Sequence, residues 1–127
     1  APLYGSENTK GTCEGAVKAH IDAGVPASKL VLGVPFYGRG GTTMPRFVDY
    51  KEIKDYPEMV EIWDDEAKAP YLADGEGALV LGFDNPKSLK IKCDYIKKNG
   101  LLGAMYWDYN GDNESGDLQN AIAEELL

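Results

Sequence analysis

Two short stretches hold the side chains best suited to chemistry. Phe36-Tyr37-Gly38-Arg39 and Met105-Tyr106-Trp107-Asp108 each close an apolar run with aromatic and polar or charged groups. Aromatic faces, Trp above all, stack on the apolar faces of sugar rings, and Arg and Tyr donate hydrogen bonds to hydroxyl and amide oxygens. The pattern suits recognition of a neutral polar ligand. The same spacing fits core packing of the aromatics equally well, with Arg39 paired to an acidic loop.

Groups that would support other chemistries are absent from the sequence. His20 is the only histidine, and it falls in a helical pattern where a surface or flanking role is the ordinary one. No Ser or Cys sits in a nucleophile-elbow pattern. No G-x-G-x-x-G or P-loop follows a strand. Trp63-Asp64-Asp65-Glu66 gathers carboxylates without the spacing of a calcium loop. No metal and no cofactor is expected. Cys13 and Cys93 are too few for a zinc site or a disulfide framework. They read as buried free thiols, with a helix–helix disulfide as the alternative.

A formal net charge of −8 leaves nothing basic to meet phosphates, so neither nucleic acid nor an anionic membrane is an expected partner. No apolar run approaches the roughly 18–20 residues of a membrane span. Lys87, Lys90, Lys92, Lys97 and Lys98 read as the solvated face of one helix, placed to favour its C-terminal end. With 43% hydrophobic residues in 127, the chain can build a core.

The elements that position these groups follow from periodicity. Thr9 to Ala23 has a helical pattern, with Gly24 suited to the left-handed position past its end and Pro26 as a stop. Leu30 to Phe36 is a continuous apolar run, as in a strand of a parallel sheet buried on both faces. Asp49 to Asp55 suits a short helix. Val60 to Asp64, Ala69 to Ala73 and Ala78 to Phe83 suit short strands separated by turn residues. Asp84-Asn85-Pro86 starts another helix, with Leu89, Cys93 and Ile96 inward and Gly100 at its end. Leu101 to Trp107 is a second apolar strand, and a last helix runs from about Asp117 to Leu126. The expected organisation is a barrel-type segment over 1–39, a small α+β insertion over 40–83 and a second barrel-type segment over 84–127. Two parallel strands expose apolar edges and faces, so further strands are expected from sequence outside this chain or from a second copy.

Lys29 to Arg39, with its Gly33-Val34-Pro35-Phe36-Tyr37-Gly38-Arg39 core, resembles the seventh barrel strand of family 18 glycoside hydrolases, the chitinase family. Ala1-Pro2-Leu3-Tyr4-Gly5-Ser6 is similar to the loop after that family's sixth strand. Asp84-Asn85-Pro86-Lys87-Ser88 with Tyr95-Ile96 resembles the helix before its eighth strand, and Gly100 to Trp107 the eighth strand itself. The fold this implies is α/β, the last two strands and their helices of a (β/α)8 barrel carrying a small α+β insertion. The activity it implies is retaining, substrate-assisted cleavage of β-1,4-linked N-acetylglucosamine polymers, outside the two-carboxylate scheme.

The resemblance assigns Trp107 to the hydrophobic floor under the sugar, Tyr37 and Arg39 to polar contacts in the same cleft, and Met105 to a position beside it. Trp63 and Tyr71 would line the cleft wall or pack within the insertion. The family's D-x-x-D-x-D-x-E motif, with its acid Glu, and its Met-x-Tyr-Asp motif do not occur here, so no catalytic residue is expected in this chain. Both motifs are expected before Ala1, with the chain starting after the sixth strand and inactive by itself. The expected partners are chitin or N-acetylglucosamine oligosaccharides and the N-terminal part of the barrel, and the expected location is extracellular. The alternative is a non-catalytic, lectin-like binding protein of the same family.

Overall fold

A computed structural model describes residues 1–9 and 11–127. Helix α1 spans Cys13–Asp22, and the Thr12 side chain caps it by accepting from the Gly15 N–H. Lys10, inside the longer helix expected from the pattern, lies outside the described residues. Gly24, at φ 104°, takes the left-handed position past the helix end as expected. Strand β1 (Val31–Pro35) pairs in parallel with β7 (Gly103–Trp107), in register from Val31↔Gly103 to Pro35↔Trp107.

Between them lie β2 (Tyr37–Gly40), β3 (Phe47–Asp49), β4 (Val60–Asp64), β5 (Ala69–Ala73) and β6 (Leu79–Gly82), which form an antiparallel sheet in the order β3-β2-β6-β5-β4. Helix α2 (Pro86–Lys98) packs on β7 and on α3 (Asp117–Leu126). The α2 N-terminus is closed by a reciprocal capping box between Asn85 and Ser88, with Pro86 in the first turn.

Each sheet has its own core. Leu32, Val34 and Phe36 alternate onto one face of the parallel pair and meet Leu89, Ile96 and Leu118 from the helices and Leu101 from the link into β7. Cys13 and Val17 join from α1. Met44, Val48, Leu72, Val80, Leu81 and Phe83 make the second core behind the antiparallel sheet. Both cysteines are buried free thiols.

The structure departs from the sequence reading at two points, the end of the first parallel strand and the burial of Lys92. The strand expected to run through Arg39 ends at Pro35, so Tyr37 and Arg39 belong to the antiparallel sheet. Phe36 is the pivot. It is fully buried, stacks on Tyr106 with centroids 4.3 Å apart, and its carbonyl accepts from Tyr50 N–H at 2.9 Å. The parallel strands are covered on one face only, with the apolar exposure expected of two strands alone: Val31 is 47% exposed and Met105 54%. Lys92, expected on a solvated helix face, is completely buried. The rest of that lysine face is exposed, and Lys90 and Lys97 pair with Glu124 and Glu125 of α3.

Candidate functional site

The seam where β1 hands over to β2 opens into a cleft of about 370 Å³. Pro35, Tyr37 and Arg39 line one side, Tyr71, Gly82 and Asp84 the other, and Ala1-Pro2 close one end. The register explains this grouping. Arg39 lies opposite Gly82, and Gly82 opposite Tyr71, so the three share one sheet face. A Cβ at Gly82 would meet no atom within 4 Å, so the absent side chain leaves a trough between Arg39 and Tyr71.

A second hollow of about 360 Å³ adjoins the first and shares Asn8, Asp64 and Tyr71 with it. Trp63 lies there. The Lys87 ammonium sits 4.0 Å from the Trp63 ring centroid, and the indole N–H donates to Asp65 at 3.2 Å. One face of this ring is therefore already occupied by a cation.

Trp107 is 69% exposed and does not line either hollow. It stands on the uncovered face of β7, in register with Pro35 of the cleft wall, and so at the rim. Met105 shares that face one pleat back, against Gly33. Of the six residues singled out in the sequence, Tyr37, Arg39 and Tyr71 come together in one cleft. Trp63 lies in the adjoining hollow. Trp107 and Met105 lie on the open face beside it.

Two polar clusters hold the cleft walls, and the sequence reading assigned neither. Asp64 accepts from Ser6 Oγ at 2.6 Å, Asn8 Nδ2 at 2.9 Å and the N–H groups of Glu66 and Ala67 at 3.1 Å each. Partial burial pushes its carboxyl upward, but these four donors outweigh that and hold it below the ordinary carboxylate value. With its lone pairs so occupied, Asp64 acts as a bracket between the N-terminal loop and β4.

The second cluster lies under the cleft floor. Lys92 Nζ donates to Asp84 Oδ2 and to the Ala1 carbonyl, both at 2.8 Å, and Ser88 Oγ donates to Asp84 Oδ1 at 2.7 Å. Burial pulls the Lys92 ammonium down most strongly of any one cause, but the Asp84 charge, the nearby Cys13 and the hydrogen bonds to both together outweigh it, so Lys92 is held above its ordinary value. The signal for Lys92 was present in the sequence: position 92 falls on the inner stripe with Leu89, Cys93 and Ile96. Charge alone argued for solvent.

Set beside known proteins, residues 1–112 match the family model Glycosyl hydrolases family 18. Chitinase A1 of Niallia circulans is 35% identical over 94% of this chain, which spans 20% of that relative's length. The structure of chitinase ChiW from Paenibacillus sp. str. FPU-7 superposes with a TM-score of 0.88 at 32% identity, over 98% of this chain and 17% of that one. Human YKL-39, described as a pseudo-chitinase with retained chitooligosaccharide binding, superposes at 0.82 with 25% identity, over 98% of this chain and 44% of its own.

Proposed function

Because the chain belongs to family 18 of the glycosyl hydrolases, we infer that it supplies the closing part of a chitin-degrading (β/α)8 barrel. In this reading β1 and β7 are the last two barrel strands, and the antiparallel sheet is an insertion on the rim. The observation that carries it is the uncovered face of the parallel pair. Val31, Met105 and Trp107 point away from the helices, where a barrel's interior lies, and Trp107 stands at the C-terminal end of its strand. Active sites of β/α barrels form at that end.

Each named residue has a role in this reading. Trp107 forms the floor on which the sugar at the cleavage point stacks. Tyr37 and Arg39 hydrogen-bond its hydroxyl and acetamido oxygens, and Met105 packs beneath. Tyr71 bounds the cleft opposite Arg39, and Trp63 flanks the adjoining hollow. The substrate is a β-1,4-linked N-acetylglucosamine chain, cleaved with retention by its own acetamido group. The proton donor comes from strands outside this chain, so residues 1–127 alone do not turn over substrate. A polymeric substrate of this kind supports an extracellular site of action.

The test is hydrolysis of a fluorogenic chitobiose by the intact barrel, by residues 1–127 alone, and by the Trp107→Ala barrel. Turnover by the intact barrel only, with binding weakened by about 1–3 kcal/mol in the variant, is the expected result. Turnover by residues 1–127 alone, or an unaffected Trp107→Ala barrel, contradicts it. A second reading, a binding protein without catalysis, is favoured by the likeness to YKL-39. Sequencing the upstream coding region decides between them: a Glu at the fourth-strand acid position supports the hydrolase, and its replacement the binding protein.

A further inference from the structure

The chain has two arginines, Arg39 and Arg46, and both converge on one exposed ring. Their guanidinium carbons lie 5.7 and 5.5 Å from the Phe47 centroid. Tyr37 meets the same ring edge-on, with centroids 5.4 Å apart. Phe47 is 53% exposed, while its neighbour Val48 fills the core behind the sheet. The core therefore does not require an aromatic at position 47.

Register ties this cluster to the cleft. Phe47 lies directly opposite Arg39, Arg39 opposite Gly82, and Gly82 opposite Tyr71. Directly paired residues project from the same face. Phe47 thus continues the cleft wall by one strand, beyond Arg39. Asp49 shares this face, opposite Tyr37. Among the described residues neither guanidinium forms an ion pair with it or with any other carboxylate, despite a net charge of −8.

A half-exposed aromatic ring with two unpaired guanidiniums over it offers apolar contact and many donors but few acceptors. It complements a ring with an apolar face and carbonyl or hydroxyl acceptors, and it repels an ammonium. We propose that Phe47, flanked by Arg39 and Arg46, is an additional subsite that takes an N-acetylated unit of the bound glycan and disfavours a deacetylated, cationic one. This rests on the reading of the cleft as a site for N-acetylglucosamine chains. It adds a charge-based specificity at a position outside the cleft itself.

The test is calorimetric titration of the intact barrel, with its acid Glu, where present, replaced by Gln. The ligands are fully acetylated chitohexaose, its fully deacetylated counterpart and the acetylated disaccharide. The wild-type barrel is expected to bind the acetylated hexaose at least about tenfold tighter than the deacetylated one. Phe47→Ala should weaken the acetylated hexaose about tenfold, with a smaller loss for the disaccharide. Arg46→Glu should narrow the discrimination against the deacetylated hexamer by about threefold or more. Phe47 and Arg46 are exposed, so both variants should fold. The inference is overturned if the wild-type barrel binds the acetylated hexaose while both variants stay within twofold of it in affinity and discrimination. A wild-type barrel that binds neither oligomer overturns the reading of the cleft, and this subsite with it.

Discussion

The two sheets answer the same demand, covering apolar strands, in opposite ways. The antiparallel sheet is completed locally. Short links join β2 to β3, β4 to β5 and β5 to β6, residues 50–59 cross from β3 to β4, and one face closes over Val48, Leu72, Val80 and Leu81, which all come from the same stretch of chain. The parallel pair is completed only at a distance. Its strands are joined through the whole antiparallel sheet and α2, as parallel pairing requires a long crossover. It is covered by helices on one face and left open on the other. Exposure therefore means different things in the two regions. On the antiparallel sheet an exposed apolar residue is surface. On the open face of the parallel pair, in the proposed reading, it belongs to an interior that further strands complete.

Two valines of similar exposure give that contrast its sharpest test. Val31 on β1 is 47% exposed, and Val60 on β4 is 56% exposed. Val31→Asp in the intact barrel is expected to destabilise it by several kcal/mol or to prevent assembly, because a carboxylate then stands in a closed apolar interior. Val60→Asp is expected to cost less than about 1 kcal/mol. Urea unfolding of the two variants measures both. Equal, small effects would mean that the open face of the parallel pair is ordinary surface.

The next largest effect concerns the ion pair at the junction of the two regions. Removing one partner of a buried pair leaves an uncompensated charge and costs about 3–5 kcal/mol. Lys92→Met should therefore destabilise by that amount, and Lys92→Met combined with Asp84→Leu should recover most of it. Hydrogen exchange should show the single variant losing protection mainly in α2 and β7, with β4 and β5 less affected. The pH dependence follows from the raised Lys92 value. A group whose folded value is raised contributes stability that is fully present below its unfolded value, near 10.5, and is lost as pH rises through the folded one. The pair is thus expected to hold through neutral pH and to fail only above about pH 10.5.

The same contrast governs how much was legible in the sequence. Helices α2 and α3, the three short strands and both apolar runs follow from periodicity and from capping residues such as Asn85 and Pro86. The resemblance grouped Tyr37 and Arg39 with Trp107 and Met105 and left Tyr71 and Trp63 between the cleft wall and the insertion; the register is what puts Tyr37, Arg39 and Tyr71 on one sheet face. Three features were not readable. The turn of the chain at Phe36 depends on a stack with Tyr106, distant in sequence. The inner stripe of α2 places Lys92 inward, but its partnership with Asp84 and the Ala1 carbonyl is encoded in no periodicity. The bracket at Asp64 depends on Ser6 and Asn8, more than fifty residues away, while a run of carboxylates taken alone signals solvent. Each of these is a non-local contact that overrides a local preference.

That bracket gives the smallest of the expected effects, and it links the regions without belonging to either core. Asp64 ties β4 to Ser6 and Asn8 in the N-terminal loop. Asp64→Ala removes two side-chain bonds and two turn bonds at a half-exposed position where water competes, so a loss of about 1–2 kcal/mol is expected. Its acid dependence separates this effect from a loss of packing. The folded carboxyl titrates below its ordinary value of 3.8. A depressed group contributes stability that is present above the unfolded value and is lost as pH falls through the folded one. The difference in melting temperature between wild type and Asp64→Ala should therefore be constant from neutral pH down to about pH 5, then shrink progressively below pH 4. A difference that persists undiminished to pH 2 would assign the loss to packing and remove Asp64 as the electrostatic link between the loop and the antiparallel sheet.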